Sequence, residues 1–303
     1  ALAAHGVLPL DDTARWQRPP AALATLPEAA TVAAFAPVAA PDDGPAEPAL
    51  RRFWSMRAGL LPGYATRFGA GYVLTRGPDG LEPLRAELLA AAAAALDPQA
   101  RGRVAAALGA TAVVDTVPLD DRPGETIDGV VVSRIAGAVP RVYLARRTIA
   151  ASGMPATVQA LASPAFRPAI DAVVESGGGS VEYGGGAAAL GAGPPHRLVV
   201  EFDAAGPGLL VVRQSFVKAW RAEIDGAAAA VEPVNGAHVG VRVPPGRHRA
   251  TIRLDPRRYL LGAAGPLLFL AVWLLSPRGR SSTGRAAASD APGRSSPASR
   301  PAP

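Results

Sequence analysis

The sequence predicts an α+β protein: a small α/β layer, then an antiparallel β-sandwich, one C-terminal transmembrane helix and a disordered tail. Three observations lead to this. Residues 84–149 hold two Ala-rich helical stretches followed by short runs of β-branched residues. Residues 197–254 alternate apolar and polar, and turn dipeptides punctuate their second half. Tyr259 to Ser276 is uncharged throughout, with Arg257 and Arg258 before it and Arg278 and Arg280 after it.

Residues 1–49 are rich in Ala, Pro and Asp, and their prolines break any long element, so they read as an extended lead-in. Leu23, Leu26 and Val32 could add a short helix or an edge strand. Asp11-Asp12 is a solvated turn rather than a catalytic carboxylate pair, because adjacent side chains point apart. Residues 50–153 form the small α/β domain. Its first part interleaves Phe53, Trp54, Tyr64, Phe68 and Tyr72 with arginines, a mixture that suits either core packing beneath a loop or stacking on sugar rings.

Leu84 to Leu96 reads as a helix entered through Pro83, and Asp97-Pro98 supplies the N-cap and N1 residues of a second one that stops at Gly109. Thr111–Val117 and Gly129–Ile135 read as strands, with Val142–Ile149 as a third. Residues 154–196 carry a helix and the run GGGSVEYGGG, a linker or hairpin tip, since no Gly-Lys-Ser/Thr follows to cradle a phosphate.

In residues 197–256 strands are expected at Arg197–Phe202, Gly208–Phe216, Trp220–Ile224, Ala228–Val234, His238–Val243 and Arg249–Leu254. Asp225-Gly226 and Asn235-Gly236 favour the positive φ values of tight hairpins, and Pro245-Gly246 suits a type II turn. Such regular punctuation predicts an antiparallel meander, with Val239, Val241 and Val243 on a dry face and arginines on the wet one.

An uncharged run as long as Tyr259–Ser276 just spans a hydrocarbon core of about 30 Å at about 1.5 Å per residue. Residues 257–277 are therefore expected to form a transmembrane helix, with Tyr259 and Trp273 near its ends; a buried core helix closed by Ser276-Pro277 is the alternative. Residues 1–256 carry 24 Lys+Arg against 24 Asp+Glu, so the whole +6 excess lies in the last 47 residues. Five arginines follow Pro277 and two precede Tyr259, which puts the tail 278–303 in the cytoplasm and residues 1–256 outside it. The tail has no apolar periodicity to offset its ordering entropy and is expected to be disordered. The chain has no initiator Met and no evident export signal, which suggests the C-terminal piece of a longer protein.

Composition narrows the chemistry. There is no cysteine, so disulfides and thiolate catalysis are excluded. A neutral body with a short basic tail makes a poor electrostatic footprint for nucleic acid. His5, His196, His238 and His248 show no metal-ligand spacing, and no nucleophile elbow, kinase set or dinucleotide fingerprint is present. Neither a catalytic residue, a cofactor nor a metal is expected within this sequence.

The run GLLVVRQSFVKAWRAEIDGAAAAVEPVNGAHVGVRVPPGRHRATIRLDPRRYLLG resembles the C-terminal extracytoplasmic module of YfhO-like bacterial multi-pass membrane proteins, of the GT-C glycosyltransferase type. The matching residues are Trp220, Asp225, Gly226, Asn235, Val243, Pro244, Gly246, His248 and Pro256. Upstream, Val139-Pro140-Arg141-Val142-Tyr143 looks like the family's "lPRay" segment. The chain departs where Lys218-Ala219 replace Pro-Gly and where Gly236 replaces an aromatic residue.

The resemblance implies a bacterial cell-membrane protein, multi-pass at full length, whose catalytic part precedes Ala1. Its partners would be the lipid bilayer, a polyprenyl-phosphate sugar and an envelope glycan acceptor. Trp220, Asp225, Asn235, His248, Arg141 and Tyr143 become the candidate glycan-contacting or motif residues, although turn formation and packing explain the same residue types. The alternative function is a non-catalytic, membrane-anchored structural or glycan-binding module of the envelope.

Overall fold

Short β-branched runs become strands here only where another layer covers them, and three sheets result. The computed structural model describes residues 19–35, 60, 66, 69–74, 83–119, 124–137, 139–175 and 179–255, with Gly265, Leu268, Phe269 and Val272 beyond them. The chain divides into two units, Ala1–Asp255 and Pro256–Pro303.

The first sheet has the order β2 (Gly71–Val73), β1 (Thr31–Ala34), β3 (Ala112–Asp115), β5 (Val130–Arg134), β4 (Glu125–Ile127). Strand β1 pairs in parallel with both β2 and β3. Thus Thr31–Ala34 is a central strand, not the edge of an extended lead-in: Val32 and Ala33 are fully buried on opposite faces, a placement that the surrounding prolines hide from sequence patterning.

Beside this sheet lie α2 (Leu84–Ala94), α3 (Pro98–Ala107) and α4 (Gly153–Ala162), following a single helical turn, α1 (Ala21–Ala24). The Asp97 side chain accepts from Ala100 N at 2.8 Å with Pro98 at N1, the predicted cap. Gly109 ends α3 at φ +84°, donating to Ala106 O at 2.9 Å while Ala110 N donates to Ala105 O at 2.9 Å, the paired bonds of a Schellman turn. The helices share one apolar cluster with Ala33 and Val113 of the first sheet and with Val173 and Ala237 of the next.

That next sheet has the order β6 (Val142–Ala145), β11 (Gly208–Ser215), β15 (His238–Val243), β14 (Val231–Val234), β8 (Asp171–Val174), β7 (Arg147–Ala150). Its two outermost strands are separated in the chain by Arg146 alone, so the sheet curls until its edges meet there. Tyr143, Ala145, Ala172, Val174, Leu209, Val211 and Val234 fill the concave side. Residues 142–149 therefore do not extend the α/β layer; they form both edges of a sheet built largely from residues after 207. Their apolar run fits either sheet, and β11 offers the longer ladder.

The third sheet has the order β13 (Ala227–Ala229), β12 (Trp220–Ile224), β16 (Gly246–Leu254), β10 (Arg197–Ala204), β9 (Gly186–Leu190). It packs on the convex side of the second sheet through Leu198, Val200, Phe202, Trp220, Ile252, Leu210 and Val241. The expected strands between 197 and 254 are present and pair only antiparallel, but they do not form a meander. Apart from the hairpins β12–β13 and β14–β15, successive strands change sheets, most abruptly at Ala230, where the expected strand Ala228–Val234 divides in two. The alternation that each strand carries is satisfied equally by either pairing.

The glycine-rich run is also not a free linker over its described part. Tyr183 N donates to Arg146 O at 2.7 Å and Thr148 N to Val181 O at 2.8 Å, and β9 follows directly.

Among the described residues no helix is long and apolar enough to cross a membrane. The expected span Tyr259–Ser276 lies outside them except for Gly265, Leu268, Phe269 and Val272, which are helical and exposed. The tail 278–303 and the aromatics Phe53, Trp54, Tyr64 and Phe68 lie outside them as well.

Candidate functional site

Where β2 and α2 approach the end of the curled sheet, the layers leave a cavity of about 590 Å³. Its walls include Tyr72, Leu74, Leu89 and Leu108, and its polar end holds Arg141, Arg213, Ser215 and His238. A β-bulge creates that end. The β11–β15 register slips between Val212 and Ser215, so that Ser215 opposes His238 and Arg213 stands in the extra turn of chain.

Arg213 is held by backbone rather than by an acid. Its Nε donates to Pro140 O at 3.0 Å and its Nη1 to Gly109 O at 3.0 Å and Leu108 O at 3.3 Å. Burial, and then the positive charge of Arg141, hold its guanidinium below the ordinary arginine range. Arg141 is exposed, and its side chain bonds to no described residue. His238 is 7% exposed, and its Nδ1 is buried without a hydrogen-bond partner. Burial first and Arg213 second push its pKa down to about 3, so the imidazole is neutral at physiological pH. The described residues lining the cavity include no Asp or Glu. Two uncompensated guanidiniums and a neutral ring thus face one partly apolar space.

This arrangement binds better than it transforms. Ser215 and His238 are register partners, but no hydrogen bond joins hydroxyl to ring, and no described carboxylate orients the imidazole as a base. No group of three or more potential metal ligands occurs among the described residues.

The six residues singled out in the sequence fall into two bonded pairs and two separate positions. Asp225 and Gly226 form the β12–β13 hairpin at φ +49° and +87°. Asp225 Oδ2 meets His248 Nδ1 at 2.5 Å, its Oδ1 accepts from Arg249 N at 2.9 Å, and His248 Nε2 contacts Pro245 O at 2.9 Å. Both ring nitrogens face acceptors, so the charged imidazolium is the form that fits. The bond to Asp225 raises His248 and depresses Asp225.

Asn235 is fully buried at the β14–β15 turn. Its Oδ1 accepts from Val173 N at 2.8 Å and its Nδ2 donates to Tyr143 Oη at 3.0 Å. The Tyr143 hydroxyl in turn donates to Asp171 O at 3.3 Å, and burial pushes its pKa up to about 12. Trp220 is 5% exposed, packed in the sandwich core with Nε1 donating to Ser215 O at 2.9 Å, and offers no ring face to a sugar. Arg141 alone of the six lines the large cavity.

Arg213 and His238 were not among the residues the sequence suggested. Their signal was an arginine interrupting the apolar run LLVVRQSF and a histidine opening the run of valines in HVGVRV. Comparison with models of protein families, with curated proteins and with solved structures finds no match to this chain.

Proposed function

We propose that this chain is the membrane-tethered accessory part of a bacterial GT-C-type glycosyltransferase of the YfhO-like kind. Residues 19–255 are its extracytoplasmic body, Tyr259–Ser276 its last membrane span, and the basic tail is cytoplasmic. The body binds and positions, while catalysis on a polyprenyl-phosphate sugar belongs to residues outside this sequence. What supports the reading is that four residues carrying the resemblance close on each other as two bonded pairs, Asp225 with His248 and Asn235 with Tyr143.

Reporter fusions in bacteria test the placement. Alkaline phosphatase joined after Asp255 should be active, and a fluorescent protein joined after Pro303 should fluoresce; the opposite pattern sinks the tether. Disruption of the gene should then remove a sugar from an envelope glycan. An unchanged glycan with the fusions as expected would leave a non-catalytic envelope module.

A further inference from the structure

We propose that the cavity between β2, α2 and the bulged end of β11 is a binding site for a small anionic ligand, an oxyanion of the phosphate or carboxylate kind on a sugar-sized body. The inference goes beyond the glycosyltransferase reading and shares with it only Arg141.

Three observations carry it. First, Arg141 and Arg213 open onto one cavity whose described lining has no acidic residue. Neither forms an ion pair with a described residue, although Arg213 is half-buried, where an unpaired charge is costly. Second, Arg213 is fixed by three carbonyls through Nε and Nη1, which aims the guanidinium without neutralising it and leaves Nη2 without a partner among the described residues. The two N–H groups of Nη2 remain to donate to an oxygen of a carboxylate or phosphate, a charge-assisted bond. Third, His238, more than nine-tenths buried in the cavity wall, keeps an unpartnered Nδ1. Buried polar atoms are nearly always satisfied, so an orphan in a binding wall marks the place of a missing partner.

The remaining wall is apolar, with Leu74, Leu89 and Leu108, and a volume near 590 Å³ falls within the ordinary range for small-molecule sites. The ligand therefore has a charged end against the arginines and a less polar body against the leucines.

Isothermal titration of the full chain in detergent tests this, with inorganic phosphate, glucose 1-phosphate, glucuronate and neutral glucose as the probes. At least one anionic probe should bind about tenfold or more tightly than glucose, as expected for one charge-assisted contact. Equal binding of inorganic phosphate and glucose 1-phosphate would assign a free anion; preference for the ester or for glucuronate would assign an anionic sugar. Arg141→Gln should weaken that binding about tenfold without disturbing the fold, since the exposed side chain bonds to no described residue. Arg213→Gln should weaken it at least as much, and Arg197→Gln, far from the lining, should leave it unchanged. The proposal is overturned if no anion outcompetes glucose, or if both Arg141→Gln and Arg213→Gln bind like the parent. Neither result would alter the fusion pattern that tests the tether.

Discussion

Arg213 lies directly over Gly109: a Cβ built on that glycine would fall 1.9 Å from Arg213 Nη1, while Nη1 donates to the Gly109 carbonyl at 3.0 Å. Gly109 sits at φ +84° as the C′ residue of α3, so the same residue ends the helix and makes room for the guanidinium. Gly109→Ala should therefore destabilise the protein by about 1 kcal/mol from the backbone alone and by more from the displaced arginine. A chemical-denaturation midpoint measures the first effect. Loss of anion binding in protein that is still folded measures the second.

The pair Asp225–His248 gives a pH signature. His248 is raised above its ordinary 6.5, so its contribution is complete below 6.5 and fades as pH rises through the folded value. Asp225 is depressed below 3.8, so its contribution is complete above 3.8 and fades as pH falls through the folded value. Both act together between those limits. His248→Gln should be less stable than the parent at pH 5 and closer to it at pH 8.5, as read from urea midpoints. A gap that widens with pH would refute the assignment.

Asn235 joins two strands that lie 62 positions apart through its bond to Val173 N. Asn235→Ala leaves the buried Val173 N–H without its acceptor and takes one of the two bonds of the Tyr143 hydroxyl, at a cost of about 2–4 kcal/mol, whereas Tyr143→Phe removes both bonds of that hydroxyl, to Asn235 and to Asp171 O, for about 1–3 kcal/mol. The double mutant should lose less than the sum of the two, showing that the bond couples them. Strict additivity in a denaturation cycle would count against it.

Gly236, where the resemblance expects an aromatic residue, lies under helix α2. A Cβ there would come 3.0 Å from Leu89 Cδ1 and 3.3 Å from Met154 Sδ at φ +80°, and Arg85 Nε donates to its carbonyl at 2.8 Å. Gly236→Tyr should lower the melting temperature by several degrees, corresponding to about 1–3 kcal/mol of overpacking. An unchanged melt would mean that α2 yields freely.

Much of the local structure was legible. Trp220–Ile224 and His238–Val243 are strands with the expected bounds, and Asp225-Gly226 and Asn235-Gly236 turn with positive φ at both residues. Their information is contained in neighbours one or two positions away. What was not legible is which sheet each strand enters, because alternation at Val231–Val234 and at Trp220–Ile224 reads alike although the strands lie on opposite layers. The same limit hid the cavity. Arg141, Arg213 and His238 converge only through a bulge and a pairing of β6 with β11, neither of which leaves a local mark. The two motif pairs were visible as residues but not as pairs, since contact across 92 positions has no periodic signature.

The bend at Arg146 has a consequence for synthesis. Val142–Ala145 is made long before its ladder partner Leu209–Val212, and the sheet is complete only when the strand ending at Val243 has emerged. At about 5–20 residues per second a ribosome needs roughly 5–20 s to cover that distance. Until Val212 is made, a buried-type strand waits with no ladder partner, so the order of synthesis delays closure of the curled sheet.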